Sequence, residues 1–120
     1  MTVKSKTMQS GKIALIEVKG SLVGDQDTDT FREAVADFIE QGNKCLIIDL
    51  SRVNYMNSSG IGSVIAAHAS YARTSGQVRL VGIGKNVLNL FVITKLIDVF
   101  EAFDTIDDAV RSFVPTKSTT

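Results

Sequence analysis

The chain has 120 residues, 44% of them hydrophobic and 22% charged, which fits one compact domain with a modest core. Its 13 basic and 13 acidic residues balance, which excludes the strong net field that steers proteins onto nucleic acid or anionic membranes. One cysteine and one histidine exclude an internal disulfide and leave too few ligands for a metal site.

The first elements predicted are two strands and a loop. Residues 3–9 have the mixed polarity of a weak edge strand, whereas residues 13–18 are β-branched and apolar enough for a strand inside a sheet. A glycine-bracketed loop at 20–24 follows. It leads to Asp25 and Asp27, and either side chain is suited to cap the N-terminus of a helix.

A helix ending at Gly42 and a central strand come next. The apolar residues of this helix recur three and four positions apart, at Phe31, Ala34, Val35, Phe38 and Ile39. Residues 45–50 form a nearly continuous apolar run, which is typical of a parallel strand covered on both faces. We expect a loop over residues 51–58 after it.

The second half of the chain repeats the strand–helix pattern. Helical spacing runs from Ser58 to Gly76, and residues 78–81 form the next strand. A short helix then carries four apolar residues, Val87, Leu88, Phe91 and Val92. Residues 98–103 are a candidate last strand.

The chain ends in a predicted capped helix and a tail. Thr105 and Asp108 have the spacing of a capping box at the start of the helix. Pro115 ends the helix, so we expect one domain over residues 1–114 and a disordered tail over 115–120. Without an apolar run of about 18 residues or a signal-like start, we expect a cytoplasmic protein with no membrane segment.

Alternating strands and helices predict an α/β domain with a mixed, mostly parallel sheet of four to five strands and about four helices. In such folds, ligands and partners meet the loops at the carboxyl ends of the strands. The loop over 51–58 is one of these, and it ends in two adjacent hydroxyls, Ser58 and Ser59, at a helix start. This stretch is therefore the candidate functional site.

Catalysis by these serines is disfavoured by spacing. His68 lies ten residues farther along the same predicted helix, so it stands roughly 15 Å from Ser58 at ~1.5 Å per residue. The glycines follow the serines instead of flanking them, so the nucleophile-elbow pattern is absent. We expect no catalytic residues, and we expect His68 to pack at the edge of the core.

Ligand-binding motifs are also incomplete. Gly60 and Gly62 open a helix after a strand, but Ile65 stands where a dinucleotide-binding loop needs its third glycine. Residues 82–85 resemble a phosphate-binding loop only in part. We expect no cofactor and no metal, and a nucleotide bound at the helix N-terminus stays an alternative.

A phosphorylation switch is the remaining interpretation of the serine pair. A phosphate adds roughly −1.5 to −2 charge, which a helix N-terminus tolerates but an apposed protein surface does not. The simpler interpretation is that Asn57 or Ser58 only caps the helix. The residue pattern alone does not separate the two.

The run from residue 46 to residue 62, LIIDLSRVNYMNSSGIG, resembles the signature region of STAS domains, particularly the bacterial anti-sigma factor antagonists. The similarity extends to residues 18–22, the turn at Gly76, and residues 80–83 and 87–91. Two departures stand out. Asn57 replaces the aspartate that usually precedes the serine pair, and the segment from Gly20 to Gly24 has one residue more than the family loop.

The resemblance implies a non-enzymatic regulator of transcription that works by partner switching. Its unmodified form would bind an anti-sigma factor that is also a serine kinase, and so release the sigma factor. The kinase would phosphorylate Ser58, with Ser59 as second choice, and a PP2C-type phosphatase would reverse this. The partner-binding residues implied are Asn57, Ser58, Ser59, Gly60, Ile61 and Asp25. The alternatives are a scaffold subunit that is never phosphorylated and a nucleotide- or small-ligand-binding module.

Overall fold

The computed structural model describes residues 2–22, 25–95 and 100–113, and the side chains of Thr2, Leu22 and residues 25–27 are not among the described features. Five strands and four helices follow one another: β1 (Thr2–Met8), β2 (Ile13–Leu22), α1 (Asp25–Glu40), β3 (Cys45–Met56), α2 (Ser58–Arg73), β4 (Gln77–Val81), α3 (Lys85–Ile93), β5 (Glu101–Phe103) and α4 (Ile106–Ser112). The predicted fold class is confirmed. The predicted tail over 115–120 lies outside the described residues.

The strands form one sheet in the order of the sequence, from β1 to β5. β1 is the predicted edge strand, and it pairs antiparallel with β2, whereas all other neighbours are parallel. β3 therefore lies at the centre of the sheet. Its residues Leu46, Ile47, Ile48 and Leu50 are fully buried, which confirms that its apolar run marks a covered parallel strand.

Two apolar clusters cover the two faces of the sheet. On one face, α1, α2 and α3 pack on alternate strand residues such as Ile16, Ile48 and Leu80. On the other face, α4 packs on Leu15 and Ile47. The main core is thus the layer between the sheet and the first three helices.

A largely buried arginine holds α4 to the sheet. The Nε atom of Arg79 in β4 lies 3.0 Å from Glu101 in β5 and donates to the Ser112 hydroxyl at 3.0 Å. Its guanidinium also lies 4.7 Å from the centre of the Phe113 ring. Since the Arg79 side chain is 13% exposed, these contacts compensate much of its lost hydration.

The structure corrects two predicted loops. The end of β2 and the end of β3 were predicted to be loops, but the strands continue side by side, with Ser21 opposite Tyr55 and Leu22 opposite Met56. β4 leaves β3 after Val81, opposite Asp49, so the last part of β3 pairs only with β2. Along this part, Val53 and Met56 are buried, whereas Ser51, Arg52, Asn54 and Tyr55 are exposed and account for its polar sequence.

Two smaller differences concern element ends. Helix α1 begins at Asp25, so Asp25 and Asp27 belong to its first turn, and their side chains lie outside the described residues, so their predicted capping role stays a prediction. β5 begins at Glu101, and residues 96–99 lie outside the described residues. The α4 cap is confirmed, because the Thr105 hydroxyl accepts a hydrogen bond from the Asp108 amide at 3.1 Å.

Candidate functional site

Asn57 alone connects the central strand to α2. β3 ends at Met56, which is 2% exposed, and α2 begins at Ser58. The Asn57 backbone is extended, with φ −105° and ψ −171°, which is the conformation of an N-cap residue. The helix start is therefore attached directly to the buried strand.

Asn57 caps the helix with its side chain. Its Oδ1 atom accepts a hydrogen bond from the Gly60 amide at 3.0 Å, and its carbonyl accepts one from the Ile61 amide at 2.9 Å. The Ser63 hydroxyl, which is fully buried, donates to the Gly60 carbonyl at 2.6 Å. These bonds fix the first turn of α2.

Ser58 and Ser59 face solvent on this fixed turn. Neither hydroxyl makes a hydrogen bond to the described part of the chain. They occupy the first two positions of a 16-residue helix, where unpaired amides and the helix dipole favour negative charge. Both hydroxyls are thus open to a modifying enzyme, and a phosphate on either would be electrostatically tolerated.

Gly60 and Ile61 have a different place from the serines. Gly60 is buried, and Ile61 is 5% exposed and packs in the main core. A partner seated on the serines would therefore not reach the Ile61 side chain. These two residues lie on the core-facing side of the helix start.

The end of β2 lies beside the end of β3 at the same edge of the sheet. The Ser21 hydroxyl donates to Asn54 Oδ1 at 3.0 Å, and the paired ends of β2 and β3 bring the starts of α1 and α2 to one side. Asp25 is the first residue of α1. Its side chain lies outside the described residues, so its contact with a partner stays a prediction.

Serine hydrolase chemistry finds no support in this geometry. Ser58 begins α2 and His68 lies ten residues farther along the same helix, as predicted. The His68 ring packs edge-on against Phe100, with 5.1 Å between ring centroids, at the border of the core. Its buried Nδ1 atom has no hydrogen-bond partner within the described chain.

No metal or membrane feature occurs in the described ranges. Residues 2–22, 25–95 and 100–113 contain no group of three or more histidine, cysteine or acidic side chains that would hold a metal ion. In the same ranges, no helix combines the length and the apolarity that crossing a membrane requires.

Sequence reasoning missed an apolar groove beside Ser58. The groove has a volume of about 540 Å³, and Ser58 itself is part of its lining. Tyr55, which is 56% exposed, and Ile93, which is 76% exposed, supply its apolar surface. The available signal was Ile93. This residue is apolar, but it does not continue the spacing of the buried Val87 and Phe91, so the helix pattern does not place it in the core.

A family model described as the STAS domain matches residues 5–109. A stretch of 56 residues is 38% identical to the anti-sigma-B factor antagonist of Listeria monocytogenes, covering 47% of this chain and 49% of that protein. The chain thus aligns with about half the length of this relative.

Solved structures share the whole fold. A Thermotoga maritima protein superposes with a TM-score of 0.83 at 20% identity, covering 92% of both chains. The Bacillus cell fate determinant SpoIIAA in its phosphorylated form superposes with a TM-score of 0.74 at 20% identity, covering 92% of this chain and 98% of that one. The family match covers most of the 120 residues and the architecture agrees with it, so this chain belongs to the STAS domain family.

Proposed function

We propose that this domain is an anti-sigma factor antagonist whose binding is gated by phosphorylation of Ser58. The unmodified form binds an anti-sigma factor that is also a serine kinase, and so releases a sigma factor. Phosphorylation by that kinase ends the interaction, and a PP2C-type phosphatase restores it. The domain itself uses no cofactor, because the kinase binds the ATP.

The observation that carries this proposal is the exposed Ser58 hydroxyl at the first position of a rigidly capped helix. The Asn57 cap uses the Gly60 amide, and the amides of Ser58 and Ser59 precede it on the same turn. A phosphate on Ser58 therefore gains a favourable interaction with the helix end. The folded domain survives the modification, and only a surface apposed to it is repelled.

The relatives agree with this interpretation. The Listeria protein is named an anti-sigma-B factor antagonist, and one solved relative of the same fold is a phosphorylated form of SpoIIAA. Asn57 supplies the cap without the negative charge of an aspartate. The kinase that recognises this chain therefore faces an uncharged side chain before the acceptor.

The first experiment identifies the acceptor and the kinase. Purified protein is incubated with ATP and each anti-sigma factor of the serine-kinase class from the same genome, and the modified residue is mapped by mass spectrometry. We expect one phosphate on Ser58, none on the Ser58→Ala variant, and normal phosphorylation of Ser59→Ala. Phosphate on Ser59 alone would overturn the acceptor assignment, and no phosphate with any kinase would overturn the switch.

The second experiment tests the effect of the charge. We expect Ser58→Ala to bind the identified anti-sigma factor as the unmodified protein does, and Ser58→Asp to bind at least tenfold more weakly. Thermal unfolding of both variants serves as the control, because a surface charge at this helix end leaves the fold intact. Equal affinities of the two variants would contradict gating by charge.

A further inference from the structure

The groove beside Ser58 is formed by two neighbouring elements. Tyr55 and Met56 come from the end of β3, and Leu90 and Ile93 come from α3. Leu90 packs against the main core and forms the floor, while the more exposed Tyr55 and Ile93 form apolar walls. The described lining is completed by Asn57, Ser58, Asn86 and Asn89.

None of the eight described lining residues carries a charge. The groove also offers amide side chains, at Asn86 and Asn89, that can hydrogen-bond to a polar rim around an apolar contact. Exposed apolar walls beside neutral polar groups are the surface properties of a protein-binding site. The matching partner surface is an apolar side chain surrounded by polar groups.

We propose that this groove receives an apolar side chain of the anti-sigma factor, and that Ser58 phosphorylation acts by placing a charge in the groove's lining. This inference rests on the proposed function. Ser58 and Asn57 belong both to the proposed phosphorylation site and to the groove, so the groove is continuous with the surface that the anti-sigma factor would cover. A partner that covers Ser58 also covers the groove.

The neutral lining explains how a phosphate switches binding off. In the free protein, the phosphate stands in water at the helix N-terminus and is stable there. In the complex, the partner's apolar side chain displaces that water, and the described lining provides no cation to compensate the dianion. The bound form alone is destabilised, so affinity falls while the fold is unchanged.

Serine substitutions on α3 test the groove. Ile93→Ser removes an apolar wall, and Val92→Ser is the matched control, because Val92 is 52% exposed on the same helix but does not line the groove. Binding of the unphosphorylated variants to the kinase identified above is measured by calorimetry. We expect Ile93→Ser to weaken binding at least tenfold, which corresponds to about 1.4 kcal/mol, and Val92→Ser to weaken it less than twofold.

The outcomes separate this inference from the proposed function. If Ile93→Ser binds like the wild type while Ser58→Asp does not bind, the groove assignment is overturned and the switch stands. If no anti-sigma factor binds the wild type, both are overturned. If sedimentation shows a dimer that Ile93→Ser dissociates without loss of kinase binding, the groove serves a second copy of the chain instead. Unchanged unfolding temperatures confirm that the variants are folded.

A double-mutant cycle that adds a positive charge to the groove tests the role of the neutral lining. Asn86→Lys places a cation in the groove, so it should reduce the effect of Ser58→Asp on the dissociation constant at least threefold relative to the wild-type background. Lys substituted at Val92 is the control and should leave that effect unchanged. An effect of Ser58→Asp that is equal in all three backgrounds would overturn the electrostatic account.

Discussion

Replacing Asn57 with alanine is the most direct test of how the site is held. The substitution removes the hydrogen bond from the Gly60 amide to Asn57 Oδ1, which measures 3.0 Å. An N-cap of this kind contributes about 1 kcal/mol to stability. Gly60 is buried, so its freed amide is poorly hydrated, and an unsatisfied buried donor costs about 1 to 3 kcal/mol. We therefore expect the free energy of unfolding to fall by about 1.5 kcal/mol.

Urea denaturation followed by circular dichroism measures this loss. With a slope of about 1.5 kcal/mol per molar urea, the midpoint should fall by about 1 M. Thr105→Ala is the matched control, because Thr105 also caps a helix with its side chain but the amide it binds, that of Asp108, is exposed. The free energy of unfolding of Thr105→Ala should fall by about 0.5 kcal/mol, since water replaces the cap.

Asn57→Asp separates the cap from the charge. The carboxylate keeps an acceptor oxygen and adds a negative charge at the helix N-terminus, so stability should be unchanged or higher by about 0.5 kcal/mol. Two results would contradict this account of the cap: a loss of stability in Asn57→Ala no larger than in Thr105→Ala, or a loss in Asn57→Asp as large as in Asn57→Ala. In either case the side-chain cap would not be what fixes the first turn.

Three further predictions concern the scaffold. Gly82 has φ +70°, and an added Cβ would lie 2.4 Å from Ser51 Cβ, so Gly82→Ala should lower the free energy of unfolding by about 2 kcal/mol or more in urea titration. Gly62 has open space around its Cβ position inside α2, so Gly62→Ala should raise it by about 0.5 to 1 kcal/mol in the same assay. Burial raises the pKa of the Cys45 thiol above its ordinary 9.0, although Arg79 partly opposes this. The unfolded chain therefore loses this proton first, and stability should decrease as pH rises above about 9, less steeply in Cys45→Val.

The sequence predicted the elements whose pattern reflects burial. The continuous apolar run of β3 indicates a covered strand. The spacing of Ile61 and Val64 indicates that one face of α2 packs on the core, and both patterns are buried in the structure. The start of α2 was predictable for a second reason, because a capping side chain, two serines and a glycine concentrate there. The position of the candidate site followed from that start.

The ends of the paired strands were not predictable from local pattern. Ser51, Arg52 and Asn54 are polar and exposed, so they have the composition of a loop, yet backbone pairing with β2 keeps this stretch in the sheet. That pairing is a long-range property, and two register irregularities in β2 adjust it. Because strand pairing depends on residues that are distant in the sequence, the ends of strands are hard to predict from a single sequence.

The groove escaped prediction because helix spacing does not determine which apolar residues are covered. The four apolar residues predicted to form the face of α3 divide in the structure, since Val87 and Phe91 are buried whereas Leu88 and Val92 are exposed. Ile93 is exposed at the C-terminal end of the helix. Its proximity to Tyr55 depends on the packing of α3 beside the end of β3, which the sequence pattern of either element does not contain.

The unexpected length of β3 determines what kind of switch this site supports. A flexible loop before Ser58 would allow phosphorylation to act by refolding that loop. Instead, the capping residue Asn57 joins β3 directly to Ser58, the proposed acceptor, and hydrogen bonds fix the turn that carries it. Under the proposed function, we therefore expect a phosphate on Ser58 to leave this turn in place and to act on the surface that covers it. The affinity of the partner should then depend on the chemistry of the groove beside Ser58.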